Sequence, residues 1–336
     1  TTPTGETALR GGELLLAVDG LTVEFHTDDG IVRAVTEMSW DLHAGETLAI
    51  LGESGSGKSV SVQTIMGLIP MPPGKVAAGS IRYRGTELVG ASDQLMRTIR
   101  GPEIAMIFQD PLTALNPVYR VGWQIGEMFR IHRGASRREG QAKAVELMDR
   151  VGIPNAALRA RQYPHEFSGG MRQRAMIAMA LALDPKVLIA DEPTTALDVT
   201  VQAQIMELLQ EIQAVTNMGL VLITHDLGVV ASTADRVHVM YAGRSVESGT
   251  ADDFYRAPAH PYSRGLMKSV PTLTGPLERL DSIPGTPPSV VNLPGGCAFH
   301  PRCPFAVERC TRELPSFEPL DGRSGSSACH RTEEIA

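Results

Sequence analysis

The segment from Gly52 to Ser59, which reads GESGSGKS, constrains the fold of this chain more than any other feature. It fits the pattern G-x-x-x-x-G-K-[ST] and directly follows a short apolar run, Thr47 to Leu51, that predicts a buried strand. A helix of the type Lys58 to Leu68 should follow, so that backbone N–H groups and a helix N-terminus converge on an anion. The pattern therefore predicts a polyphosphate-binding loop, and the preceding strand disfavours the alternative of a flexible Gly/Ser turn.

The composition excludes several classes of protein. The 336 residues are 43% hydrophobic, which is enough for one large domain or two ordinary ones. The formal net charge is −7 and no run of five or six basic residues occurs, so no nucleic-acid footprint is expected. The longest apolar stretch, Ala175 to Leu183, has nine residues. A membrane-spanning helix needs about 18 to 20, so we expect a soluble cytoplasmic chain.

Strand-like segments recur along the chain. Leu14 to Phe25 and Ile31 to Val35 are expected to form a hairpin ahead of the phosphate loop. Three apolar runs after the loop predict buried strands, at Ile104 to Phe108, Val187 to Ala190 and Leu220 to Thr224.

Helical patterns separate these strands. Residues 120–183 are predicted to be mostly helical, and Ser136 with Glu139 forms a capping box. Apolar residues at helical spacing predict two buried faces, one of Ala144, Leu147, Met148 and Val151, the other of Ile205, Leu208, Leu209, Ile212 and Val215. Strands bounded by helices indicate an open α/β sheet with a ligand along the carboxyl ends of the strands.

Polar residues that could act on a nucleotide follow the predicted strands. Asp191 and Glu192 end an apolar strand downstream of the phosphate loop, an arrangement typical of a nucleotidase. Asp191 would lie near Mg²⁺, Ser59 would supply a hydroxyl ligand and Lys58 would pair with the β and γ phosphates. Glu192 would orient or deprotonate the attacking water. An ordinary strand-end turn is the alternative, and the phosphate loop disfavours it.

A second anion-binding feature lies at Ser168-Gly169-Gly170, where a serine and two glycines precede a predicted helix from Met171 to Leu183. One chain cannot easily direct both this terminus and the phosphate loop at one nucleotide. We therefore expect a head-to-tail pair of subunits, in which each gives its loop to one nucleotide and its Ser-Gly-Gly to the other.

With these motifs in this order, the chain resembles the ATP-binding subunit of an ABC transporter over residues 14 to about 250. The resemblance implies an ABC-type P-loop ATPase core, of α/β class, with an antiparallel β subdomain and an α-helical signature subdomain at about 115–183. It implies an ATPase domain at 13–250. The polar, Gly/Thr-rich composition of 1–12 predicts a flexible tail, and the change in composition from about Ala251 predicts an irregular cysteine-containing extension at 251–336.

Residue roles follow from the resemblance. Gln109 would sense Mg²⁺ and the membrane partner, His225 would contact the γ-phosphate and Asp198 would belong to the D-loop. Phe25 would stack on the base, although a half-buried strand aromatic is the alternative. The signature, FSGGM, departs from the commoner LSGGQ. The ATP-binding set is Phe25, Gly52, Glu53, Ser54, Gly55, Ser56, Gly57, Lys58, Ser59, Asp191 and Asp198, with Ser168, Gly169 and Gly170 directed to the partner's ATP; Ser59, Gln109 and Asp191 would serve Mg²⁺.

Further motifs narrow the resemblance to the dipeptide/oligopeptide and nickel importer ATPases. These are Gln109-Asp110-Pro111, His260-Pro261-Tyr262-Ser263, Ile283-Pro284-Gly285-Thr286-Pro287-Pro288 and the segment from Gly296 to Pro304. The resemblance implies a second homologous ATPase in a heterodimer, two permease subunits, an extracytoplasmic peptide-binding protein and a place at the cytoplasmic face of the membrane. The alternatives are nickel import and, in another class, a non-transport ABC ATPase with a redox-sensing tail.

All four cysteines, Cys297, Cys303, Cys310 and Cys329, lie in the last forty residues. Disulfides are rare in the cytosol, so bound metal is the leading interpretation. The gaps lack the C-x₂-C pairs usual in structural zinc sites, although His300 or His330 could complete a Cys₃His set. Four thiolates with Pro304 directly after Cys303 suit an iron–sulfur cluster, and plain thiols or disulfides are the third alternative. The resemblance to peptide-importer ATPases, which hold a [4Fe-4S] cluster in such a tail, favours the cluster over Zn²⁺.

Overall fold

The computed structural model describes residues 12–28, 30–194, 199–269 and 283–335. Most of the predicted tail at 1–12 lies outside the described residues, and so do Asp198 and the rest of the predicted D-loop.

The described residues form strands and helices that alternate through most of the chain. The strands are β1 Leu14–Thr27, β2 Gly30–His43, β3 Thr47–Leu51, β4 Gly74–Tyr83, β5 Thr86–Glu87, β6 Ile104–Ile107, β7 Val187–Asp191, β8 Gly219–Ile223, β9 Arg236–Tyr241, β10 Arg244–Thr250, β11 Glu318–Pro319 and β12 Ser326–Ser327. The helices are α1 Lys58–Ile65, α2 Asp93–Ile99, α3 Pro111–Ala114, α4 Val121–Arg133, α5 Arg137–Arg150, α6 Ala156–Arg159, α7 Gly169–Leu181, α8 Val199–Thr216, α9 Leu227–Thr233, α10 Ala251–Arg256, α11 Pro261–Lys268, α12 Glu308–Arg312 and α13 Thr332–Ile335. Two short 3₁₀ helices lie at Pro164–Glu166 and His300–Arg302.

The chain divides into two compact units, and the first takes the described residues of Thr1–Leu42, Thr47–Val89 and Thr224–Ala336. It contains a four-stranded sheet in the order β2-β1-β4-β5, with antiparallel pairing of β1 with β4 and of β4 with β5. It also contains strands in the order β11-β12-β10-β9-β3, of which β9 and β3 are parallel. The C-terminal extension therefore continues this sheet through β12 and β11.

The second unit takes His43–Glu46 and Gly90–Ile223. Three parallel strands run in the order β8-β7-β6, and every residue of each is buried. Strands buried throughout carry continuous apolar runs, because helices cover both faces of a parallel sheet. Helix α7 packs against α3, α4, α5 and β6, and it leads directly towards β7.

Most predicted elements are confirmed, with shifted ends. The capping box at Ser136 is present, since its hydroxyl accepts from the Glu139 N–H and the Glu139 carboxylate accepts from the Ser136 N–H. The first helix ends at Ile65 instead of Leu68. Val215 is 81% exposed, so its place in a buried face was wrong. The final turn of α8 carries it away from the core, and spacing alone does not reveal where a helix leaves the core.

Local patterns did not reveal the helices of the extension. Helix α11 begins with His260 as its N-cap, whose ring nitrogen accepts from the Tyr262 N–H at 3.0 Å, and with Pro261 in the first turn. Proline in the first turn is a normal helix-start signal, whereas histidine is not one of the preferred N-cap residues. The helix is only eight residues long, too short for periodicity to stand out. No helix within the described residues is long and apolar enough to cross a membrane.

Candidate active site

Two glycines give the loop between β3 and α1 its shape. Gly52 and Gly57 have positive φ angles of 153° and 99°. A Cβ at Gly52 would lie 2.3 Å from the Met240 carbonyl oxygen, and one at Gly57 would lie 2.3 Å from that of Ala34. Only glycine fits at either position, because a side chain would overlap a backbone atom of a neighbouring strand or loop. The loop therefore packs directly against the backbone of β2 and β9.

Lys58 lies beneath this loop and is only 6% exposed. Its Nζ donates to the carbonyl oxygens of Gly52 and Glu53 at 2.8 and 2.9 Å. A buried ammonium requires such hydrogen-bond partners. The two carbonyl contacts therefore close the loop around the Lys58 ammonium. Of the remaining loop residues, Ser56 is buried, Gly57 and Ser59 are half-buried, and Ser54 and Gly55 are exposed.

Glu53, the second residue of the loop, is held by residues of the C-terminal extension. Arg302 donates from Nη1 to Glu53 Oε2 at 2.6 Å and from Nη2 to Oε1 at 3.0 Å. The Glu53 N–H donates to the Tyr262 hydroxyl at 2.8 Å. In the sequence, Arg302 and Tyr262 stand out only as members of family motifs, and nothing there connects them to the loop. No local signal could have done so, because 249 positions separate Arg302 from Glu53.

The second unit carries a different group of predicted site residues. Asp191 ends β7 and is 2% exposed, and Glu192 follows it with a φ of 47°. Few non-glycine residues adopt this left-handed conformation, and such strain clusters at functional sites. The Glu192 N–H donates to the Ile223 carbonyl at 2.9 Å, which anchors the turn to β8. The Gln109 Nε2 donates to Glu192 Oε2 at 2.9 Å, so these two predicted residues are in direct contact.

The Ser-Gly-Gly segment forms the start of α7. Ser168 is the N-cap, and its hydroxyl accepts from the Met171 N–H at 3.3 Å. Phe167 is buried, whereas Ser168 and Gly169 are exposed. A Cβ at Gly169 would meet no atom of this chain within 4 Å. The helix N-terminus, where the macrodipole favours an anion, is therefore open to solvent.

Two further predicted site residues, Phe25 and His225, lie in the first unit. Phe25 is half-buried in β1 and lies against Gly74, where a Cβ would be 3.5 Å from its ring. His225 is exposed and precedes α9, whose N-cap is Asp226.

The four cysteines line one cavity of about 20 Å³. A backbone hydrogen bond joins two of their segments, since the Cys297 N–H donates to the Cys310 carbonyl at 2.9 Å. Within the last segment, the Arg331 N–H donates to Cys329 Sγ at 3.4 Å. The remaining lining residues are His260, Pro261, Phe299, His300, Phe305, Pro315, His330 and Arg331. All four thiols are free, so the described extension contains no disulfide.

Burial lowers the acidity of three of these thiols. Burial, with smaller contributions from the other three thiols, raises the pKa of Cys297 to about 11. Burial likewise raises the pKa of Cys303 and of Cys329. In the parts of the chain that the structure describes, no three His, Cys, Asp or Glu side chains form a group that could hold a metal ion. The geometry establishes a shared cysteine cavity.

Comparison with family models gives two matches. The model described as ABC transporter matches residues 35–195, and the model described as oligopeptide/dipeptide transporter, C-terminal region, matches residues 246–310. The first match contains the phosphate loop, the Ser-Gly-Gly segment and Glu192, and the second contains Arg302 and three of the four cysteines.

Curated relatives match the chain almost from end to end. A putative peptide import ATP-binding protein of Brucella abortus (strain 2308) is 52% identical over 96% of this chain and 98% of its own length. The dipeptide transport ATP-binding protein DppD of Escherichia coli (strain K12) is 50% identical over 94% and 96%. The oligopeptide transport ATP-binding protein OppD of Bacillus subtilis (strain 168) is 53% identical over 91% and 86%.

Solved structures give the same fold. A dimeric ATP-binding cassette in a post-hydrolysis state, bound to ADP and Pi, aligns with a TM-score of 0.64 and 26% identity. The alignment covers 70% of this chain and 99% of that cassette. This confirms the predicted mixed α/β cassette fold.

Proposed function

Because the chain belongs to the ABC transporter ATP-binding proteins, in the group of the peptide-import subunits, we propose that it hydrolyses ATP to power di- or oligopeptide import through a membrane permease. The observation that carries the ATP site is the glycine loop closed around the buried Lys58 ammonium. Polyphosphate oxygens would replace the loop carbonyls as partners of that ammonium. We place the proposed ATPase domain at residues 13–250 and the C-terminal extension at residues 251–336.

We assign Mg²⁺ to Ser59, Asp191 and Gln109. Mg²⁺ prefers oxygen ligands, usually one or two protein groups completed by phosphates and water, and these three residues supply hydroxyl, carboxylate and amide oxygens. When bound, the ion would neutralise charge that develops on the phosphates. Lys58 holds the β and γ phosphates, and the N–H groups of the loop from Gly52 to Ser59 bind the oxygens.

Glu192 is the proposed general base. Its left-handed backbone and its contact with Gln109 fix the position of its carboxylate. The carboxylate orients and deprotonates the attacking water, while His225 contacts the γ-phosphate. Phe25 stacks on the base, and Asp198 belongs to the D-loop of the proposed ATP-binding set.

A second homologous ATPase would complete each site. The exposed Ser168 and Gly169, followed by the half-buried Gly170 at the start of α7, support contact with the partner's nucleotide. The other proposed partners are two permease subunits and, through them, an extracytoplasmic peptide-binding protein. The chain would act as a peripheral subunit at the cytoplasmic face.

The four cysteines are the proposed ligands of a [4Fe-4S] cluster. The four thiols line one cavity but do not form a metal-binding group in the described residues, so the proposal rests on their number, which is the ligand set of such a cluster, and on the family resemblance. Anaerobic purification should yield brown protein with about four iron and four sulfide ions per chain. Cys310→Ser should lose iron, and stoichiometric zinc in a colourless sample would contradict the assignment.

The rate of ATP hydrolysis by the assembled complex tests the proposed function. The chain is purified with its co-expressed ATPase and permease partners in lipid, and the rate of ATP hydrolysis is measured with peptide-loaded and peptide-free binding protein. Stimulation by loaded binding protein supports peptide import. Stimulation by nickel alone would support the nickel alternative, and an ATPase that no permease or binding protein affects would contradict both.

A further inference from the structure

The C-terminal extension contacts the phosphate loop at a residue that is unfavourable for binding phosphate. Glu53 carries a negative charge next to backbone N–H groups that are to bind a polyphosphate. An unpaired carboxylate there would repel the ligand and compete with it for the Lys58 ammonium. The loop therefore needs a cation to neutralise Glu53.

Arg302 is placed to be that cation. Its side chain is 5% exposed, and both oxygens of the Glu53 carboxylate accept from it, in the bidentate arrangement that only arginine provides. Its Nε donates to the Pro284 carbonyl at 2.9 Å, and Nη1 also donates to the Tyr241 hydroxyl at 3.2 Å. The guanidinium is thus fixed from several directions.

An aromatic cluster holds this contact rigid. The Tyr262 ring lies 4.6 Å from that of Tyr241 and 5.4 Å from that of Phe299, measured between ring centroids. The Arg302 guanidinium lies about 6 Å above the Phe299 ring. Tyr262 is fully buried, and its hydroxyl accepts from the Glu53 N–H. The carboxylate and the N–H of one loop residue are therefore both bound by the extension.

We propose that Arg302 and Tyr262 are positioning residues of the nucleotide site, through which the C-terminal extension shapes and neutralises the phosphate loop and thereby sets nucleotide affinity. The proposal rests on the ATP site described above. It gives the extension a part in nucleotide binding, because Arg302 and Tyr262 both belong to the extension and both contact Glu53.

The test is the affinity of the full-length chain for MgATP, measured by calorimetry. Arg302→Met leaves Glu53 unpaired and should weaken binding about tenfold or more, with a smaller loss at high salt because screening weakens the repulsion. Adding Glu53→Gln to Arg302→Met removes the repelling charge and should restore binding to within about threefold. Tyr262→Phe should weaken binding by about two- to tenfold, the effect of one hydrogen bond.

Arg309→Met is the matched control, because Arg309 forms an exposed ion pair with Glu313 elsewhere in the extension. It should bind MgATP as the wild type does. Thermal unfolding of every variant separates loss of affinity from loss of fold. Two further variants test the proposal if Arg302→Met does not fold. Arg302→Lys keeps the positive charge but loses the bidentate geometry, and Tyr262→Phe loses the hydroxyl that accepts from the Glu53 N–H.

The outcomes separate the inference from the proposed function. A wild-type chain that does not bind MgATP contradicts the ATP site itself. A wild type that binds, together with an Arg302→Met variant of equal affinity, overturns the positioning role. So does a double variant as weak as the single one, because charge repair would then have no effect. If Arg302→Met does not fold, wild-type affinity in both Arg302→Lys and Tyr262→Phe overturns it.

Discussion

The side-chain amide of Gln109 donates to the Glu192 carboxylate at 2.9 Å, which links the second residue after β6 to the residue that follows β7. The two strands are parallel neighbours, so their carboxyl ends meet at the same edge of the sheet. The proposed sensor therefore contacts the proposed base directly.

Gln109→Ala removes this donor. We expect kcat for ATP hydrolysis to fall about tenfold, the effect of losing a hydrogen bond to a charged group. We also expect the Mg²⁺ concentration for half-maximal activity to rise, because the amide oxygen is a proposed ligand. ATP affinity in chelator should stay the same. Unchanged turnover and Mg²⁺ dependence would contradict the role given to Gln109.

Glu192→Gln removes the proposed base and keeps the size of the side chain. ATP binding should persist, and hydrolysis should fall by about 10²- to 10⁴-fold, the usual contribution of a general base. Single-turnover hydrolysis measures the chemical step, and size-exclusion chromatography with the partner ATPase detects the trapped closed pair. Glu207→Gln, at an exposed glutamate on α8, is the control and should hydrolyse ATP normally.

Gly57→Ala and Gly55→Ala form a matched pair in the phosphate loop. Both residues have positive φ, 99° and 79°, but only at Gly57 would a Cβ overlap backbone, 2.3 Å from the Ala34 oxygen. Gly55→Ala incurs only the left-handed penalty, about 1 to 2 kcal/mol. We expect Gly57→Ala to lower the melting temperature further and to abolish ATP binding. Equal thermal shifts in the two variants would show that the close contact has no effect.

Gly169→Asp tests the contact with the second ATPase. The position is exposed and a Cβ meets nothing of its own chain, so the variant should fold and bind ATP normally. A carboxylate at the start of α7 would repel the partner's γ-phosphate. ATPase activity of the assembled complex should therefore fall at least about tenfold. Full activity would contradict the proposed role of the Ser-Gly-Gly segment.

His238 should make the fold sensitive to acid. Burial, with a smaller contribution from the charge of Arg236, lowers its pKa to about 3, and its Nε2 lies 2.8 Å from the Ser245 hydroxyl. Between pH 6.5 and 3 the unfolded chain binds a proton that the folded chain does not, so stability falls as pH falls through this window. The loss at pH 5 should be about 2 kcal/mol.

Urea unfolding at pH 7 and pH 5 measures this effect. His238→Gln should lose less stability than the wild type between the two pH values, because its amide does not titrate. His165→Gln, at an exposed histidine, should follow the wild type. An identical pH dependence in the wild type and His238→Gln would contradict the assignment.

Much of the fold could be predicted because the signals are local. Strands such as β7 are continuous apolar runs, and the start of α5 carries a capping box within four residues. The prediction that Val215 is buried was wrong, because burial at the end of a helix depends on what packs against it. Helix α11 was missed, because a helix of eight residues depends on tertiary packing for its stability.

Sequence motifs alone predict the residues with proposed chemical roles. Gly52 to Ser59, Asp191 and Glu192 are recognisable because each motif is contiguous and joins a strand to a turn, so that its geometry follows from its own backbone. The contacts that hold these residues in place could be read only from the three-dimensional structure. It put Arg302 and Tyr262 against Glu53, put Gln109 against Glu192 and gathered four cysteines around one cavity. These contacts join residues far apart in the chain, and packing in three dimensions determines them.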